Sequence, residues 1–194
     1  MESFSALASA VAENWPVWLV TVTLIVAAVV DGFELKVPNW ITFPMVLGGW
    51  AYSGMAAGSL GMTWWEGLGW SLAGTALGLA LLLPAYAIGG MGAGDVKLLA
   101  GVGAWMHSTH TLYAFVISAL AGAIIAVGMV FYQRSLKKHT TQFWMILTEM
   151  LTIRDPNQLS AIAAQRKSSM LLLPYGIPIA IGTIAYFAWM EMLV

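Results

Sequence analysis

Long apolar runs, each close to the length of a bilayer crossing and nearly free of charge, constrain this chain more than any other feature. A spanning helix needs about 20 apolar residues, with a usable range of about 17–25. Candidates follow one another at residues 11–30, 40–57, 68–88, a short one at 96–106, then 112–132 and 170–192. Of the 194 residues, 60% are apolar and only 9% are charged, against about 25% charged in soluble domains. A soluble core could not hide that much apolar surface, so lipid must be part of the solvent. The predicted fold class is all-α: a polytopic membrane helical bundle of about six transmembrane helices.

Charge sets the expected orientation. The eight basic residues are Lys36, Lys97, Arg134, Lys137, Lys138, Arg154, Arg166 and Lys167. With six crossings all of them fall on one side, and the positive-inside rule makes that side cytoplasmic. Both termini are then expected outside the cytoplasm. A five- or seven-span count would scatter the same charges. The chain reads as one membrane domain over 1–194, with a cytoplasmic loop at about 133–169. Within that loop, Phe143, Trp144, Leu147, Met150 and Leu151 recur at helical spacing, which predicts an amphipathic helix on the membrane surface or against the bundle. Small-xxx-small spacings at Gly54–Gly58 and Gly74–Gly78 are expected to allow close helix packing.

Composition also removes function classes. A net charge of −1 and the lack of any basic arm argue against nucleic-acid binding. The absence of cysteine excludes disulfides, thiolate zinc sites and a cysteine nucleophile. The first 15 residues lack a basic n-region, so no cleaved signal peptide is expected. The Gly-rich run 89–94 is not a P-loop, and it follows a span rather than a strand, so a nucleotide fingerprint is excluded. No metal site and no cofactor are expected. His107, His110 and Glu66 fall on the outer side by this topology, and His139 lies in the basic loop. No Ser–His–acid set converges.

Asp31 and Asp95 remain as the candidates for chemistry. Acidic residues at membrane depth are costly and default to functional hypotheses. Asp31 ends the first apolar run, and Asp95 begins the short fourth one. Two crossings separate them, so both lie at cytoplasmic helix ends and can meet. Asp95 is twelve residues from His107, roughly 18 Å along a helix, inside a hydrocarbon core about 30 Å thick. Gly-rich backbone at that depth is tolerated only against protein or a wet cavity, which predicts a water-accessible pocket around Asp95. The bland alternatives are a helix N-cap for Asp95 and an interfacial stop residue for Asp31. Two adjacent carboxyls cannot both ionise cheaply. One then serves as general base on water and the other as acid toward a carbonyl, the aspartic-protease arrangement.

Three segments carry a family resemblance. The run DGFELKVPN from Asp31 to Pro38 and Asn39 resembles the D-x6-P-N segment after the first catalytic span of type IV prepilin peptidases. The run GGMGAGDVKL, with Gly92, Gly94, Asp95 and Lys97, is similar to their GxGD motif and its D-x-K-L continuation. The run PYGIP from Pro174 to Pro178 is similar to a segment of their last span. The resemblance implies a membrane-embedded aspartic endopeptidase. Such an enzyme cuts the short basic leader from prepilins or pseudopilins, usually after Gly, at the cytoplasmic face of the bacterial inner membrane. It implies Asp31 and Asp95 as the catalytic pair, and Gly92, Gly94, Lys97, Pro38 and Asn39 as substrate-binding or supporting positions. Long members carry a cysteine-bearing cytoplasmic extension linked to N-methylation. This chain has no cysteine and looks like the short branch of tight-adherence (Flp) pili, so the resemblance does not carry the methyltransferase activity over to it. Archaeal preflagellin peptidases share the core. The alternatives are a presenilin-like intramembrane protease, which also uses GxGD, and a non-catalytic transporter or assembly subunit using the aspartates as an ion site.

Overall fold

In the computed structural model, which describes residues 12–87, 90–132 and 174–193, the described residues are helical and contain no strand. The helices are α1 (Trp15–Glu34), α2 (Asn39–Ala56), α3 (Trp64–Ala87), α4 (Ala93–Tyr132) and α5 (Gly176–Trp189), with a 3-10 turn at Ala57–Leu60. Three stretches are long and apolar enough to cross a membrane: Trp15–Glu34, Trp64–Ala87 and Ala93–Met129. α5 is apolar and shorter. The expected surface helix at 141–153 lies outside the described residues.

Local signals set the helix ends. Pro16 stands in the first turn of α1, where its missing N–H costs nothing. α1 ends at Leu35, which is left-handed (φ 52°, ψ 33°) and returns its N–H to the Asp31 carbonyl. α3 opens with a capping box: Glu66 Oε2 accepts from the Thr63 N–H at 2.7 Å, and the Glu66 N–H donates to Thr63 Oγ1 at 3.4 Å. Glu66 therefore has a local structural role.

α4 is two straight limbs, 93–106 and 108–132, because His107 leaves helical geometry (φ 59°, ψ −174°). A turn over 107–111 was expected, and one residue suffices. Helix–helix contacts fix the directions. Gly74 meets Gly103 and Gly78 meets Leu99, so α3 runs antiparallel to the first limb. Gly48 and Gly49 meet Trp105 and Ala104, while Val37 meets Gly94, so α2 runs parallel to it. Ser118 meets Gly182 and Gly122 meets Pro178, so α5 runs antiparallel to the second limb.

The first limb of α4 is the centre of the bundle. Residues 98–106 are all buried, as a helix apolar all round should be. α1 instead buries one stripe, Val17, Val20, Thr21, Leu24, Ala27 and Asp31, at three- and four-residue spacing. Without water to drive association, close backbone approach and interhelical hydroxyl bonds hold such a bundle. Ser53 and Ser71 both donate to the Ala104 carbonyl, and Trp50 Nε1 donates to Thr75 Oγ1 at 2.9 Å. Of the two predicted glycine seams, Gly74–Gly78 forms the α3–α4 contact. Gly54 packs on the Trp64 ring and Gly58 faces open space, so that pair makes no helix–helix seam.

A methyl group at Gly74 would lie 2.8 Å from the His107 Cα and would also meet the Gly103 carbonyl. Gly74→Ala is therefore expected to destabilise the bundle by about 1–3 kcal/mol through overpacking. Thermal unfolding in detergent measures it, and an unchanged midpoint would show that the two helices can part without cost.

Candidate active site

One end of the bundle gathers the last turn of α1, the connection 35–38, and the first turns of α2, α4 and α5. The connection docks tightly: the Val37 carbonyl and side chain lie against the Gly94 Cα, with no room for a side chain there. Gly94 thus lets the α1–α2 connection reach the start of α4.

Asp31 does not sit at the end of its helix as an exposed stop. α1 continues one further turn to Glu34, and Asp31 points inward at 2% exposure. Its Oδ2 accepts from the Gly176 N–H at 2.7 Å. Gly176 opens α5, so this carboxyl rests on free N–H groups at the positive end of a helix. Gly176 must be glycine for steric reasons as well, because an added Cβ would stand 2.8 Å from Asp31 Oδ2.

Asp95 is not the N-cap either. α4 begins at Ala93, which makes Gly92 the capping position and Asp95 the third helical residue. Asp95 Oδ2 accepts from the Gly92 N–H at 3.0 Å, the backward half of a capping box. The side chain is 5% exposed, and its Oδ1 has no hydrogen-bond partner among the described residues. Asp31 in the last turn of α1 and Asp95 in the first turn of α4 are thus two buried carboxyls at the same end of the bundle.

The remaining positions surround this pair. Lys97 Nζ donates to Asn39 Oδ1 at 2.9 Å and lies 4.9 Å from the Phe43 ring centre. This ties the first turn of α2 to α4 two residues beyond Asp95, and cation–π attraction adds to the bond. Pro38 sets the extended entry into α2 (φ −75°, ψ 152°). Gly92 is half-buried at the turn that holds Asp95. His107 and His110 lie at the far end, on Ser53 and Tyr186 respectively. Among the described residues, no three His, Cys, Asp or Glu side chains converge as a metal site would need.

Sequence reasoning missed Gly176 as a site residue. Its signal was present in the PYGIP run, but a backbone donor leaves no polar letter in the sequence.

Fold and site first define a class: an all-helical integral membrane protein with two buried carboxyls at one end of its bundle. The chain belongs to the type IV leader peptidase family, whose model matches residues 18–127. It is 27% identical over 135 residues to a prepilin leader peptidase/N-methyltransferase of Aeromonas hydrophila, covering 64% of this chain and 44% of that one. It is 28% identical over 119 residues to a protein of the same description from Aeromonas salmonicida (strain A449), covering 58% and 38%. The chain thus spans less than half the length of these curated relatives. No solved structure matches it.

Proposed function

We propose that the chain is a membrane-embedded aspartic endopeptidase that removes the basic leader from a prepilin or pseudopilin, typically after Gly. The cleavage takes place at the cytoplasmic face of the bacterial inner membrane. The single observation that carries this reading is the Asp31–Asp95 pair: two buried carboxyls at one end of the bundle, each held by a backbone N–H at the start of a helix. Family membership and the relatives' description support the substrate class. The reading includes six crossings, both termini outside, a single peptidase domain over 1–194 and a cytoplasmic loop at about 133–169. It assigns the chain to Flp-type pili.

The chemistry follows from the pair. One carboxylate takes a proton from water while the water oxygen attacks the scissile carbonyl. The other carboxyl gives its proton to the carbonyl oxygen, forming a tetrahedral diol. Collapse breaks the C–N bond, and a proton from the pair goes to the leaving amine. No covalent enzyme intermediate forms. The Gly176 and Gly92 N–H groups keep the two carboxyls oriented throughout, which is a positional contribution. A glycine before the cut presents no side chain to obstruct the approach of an extended backbone to two recessed carboxyls.

Co-expression with a prepilin-like substrate tests the reading, with the product's N-terminus read by mass. The expected result is a new N-terminus directly after the leader glycine. Intact substrate together with an Asp31-dependent ion flux would replace the peptidase reading with a transporter. A cut within the apolar helix would point to a presenilin-like protease.

A further inference from the structure

The last turn of α1 carries two acids, Asp31 and Glu34, and no basic residue. That is the negative end of the helix dipole, where cations are favoured and carboxylates are not. Asp31 is buried and held by Gly176. Glu34 is exposed, and among the described residues it makes no ion pair. It lies three residues beyond Asp31, about one turn further on the same side of α1. Its position is the rim of the site. The two described cations at this end do not satisfy it. Lys97 is engaged by Asn39 and Phe43, and Lys36 is exposed and makes no ion pair among the described residues. The other carboxyl of the pair, Asp95, is buried with Oδ1 unpartnered among the described residues. An exposed carboxylate therefore stands one helical turn from a buried acidic pair.

We propose that Glu34 is a specificity-determining residue that receives a lysine or arginine of the leader. This deepens the prepilin-peptidase reading and rests on it. The geometry also sets a register. Residues three apart on a helix have Cβ atoms about 5–6 Å from each other. An extended substrate covers about 3.3–3.6 Å per residue. A side chain seated on Glu34 thus belongs to a residue about two positions before the bond that reaches Asp31. The helix end adds its own negative field at the same place, so a cation there meets both.

The test uses full-length protein in detergent and three substrates that differ in one residue, about two positions before the cut: Lys, Gln or Glu. The wild type is expected to favour Lys. Glu34→Gln should lower kcat/KM for the Lys substrate by about two- to fivefold, the range of a solvent-exposed ion pair. The loss should appear in KM with kcat unchanged, and it should shrink as salt is raised. Glu34→Lys should reverse the order and favour the Glu substrate. Lys36→Gln serves as the control and should leave the order as it is. Equal changes on all three substrates, or none, would overturn the assignment of Glu34 while leaving the peptidase standing. A wild type that cleaves none of the three would overturn both.

Discussion

Asp31→Asn and Asp95→Asn are each expected to lower processing of a prepilin-like substrate by about 10²–10⁴-fold, the usual contribution of a positioned acid or base. Asparagine keeps the size of the side chain and can still accept from Gly176 or Gly92 through its carbonyl oxygen. Folding should therefore survive, and the loss should lie in turnover. The double variant should lose little beyond either single one, because groups acting as a unit are strongly non-additive. Product formation is read by mass, and a thermal melt in detergent serves as the folding control. Cleavage that persists at the wild-type rate in either variant would remove that aspartate from the mechanism.

Glycine substitutions at the site should come close to that loss without touching a carboxyl. In Gly176→Ala the new Cβ falls 2.8 Å from Asp31 Oδ2 and 3.0 Å from the Asp31 Cβ. The carboxyl can swing away, but the Cβ contact requires α1 and α5 to part slightly, and the N–H bond lengthens. Gly94→Ala drives a methyl group into the Val37 carbonyl, a backbone atom with no rotamer to yield. The α1–α2 connection must lift from α4, which moves Asp31 relative to Asp95. A misplacement of about 1 Å costs on the order of 10²-fold in a positioned reaction, and that is the expected fall for both variants. Gly58→Ala is the comparison, since a Cβ there meets nothing within 4 Å, and it should process normally. Wild-type processing by Gly176→Ala would mean that the bond from α5 does not position Asp31.

Much of the bundle was legible because lipid leaves a strong signature. Apolar run length places the helices to within a few residues, and Asp31 and Asp95 lie at one end of the bundle, as expected. Errors arose where local geometry departs from average behaviour. The apolar letters stop at Asp31 and mark it as the edge of a span, yet the helix runs on to Glu34 and turns the carboxyl inward. The sequence also allows Asp95 as an N-cap, but the glycines before it admit two further helical residues, so it bonds backward. The reversal at His107 was read as a five-residue turn, since a single non-glycine residue with φ 59° has no sequence signature. The burial of residues 98–106 on all sides follows from tertiary packing alone, because in a membrane protein lipid-facing and core-facing residues are equally apolar.

Both groups that hold the carboxyls, the Gly176 and Gly92 N–H, belong to the main chain. Main-chain donors are present whatever residue is encoded, and only proline deletes them. A mutational screen that trims side chains to alanine is therefore blind to these bonds. It reports on them only indirectly, through crowding, as at position 176. Over generations the same property protects the site: drift can change its size and tightness, but it cannot easily erase the orientation of its acids.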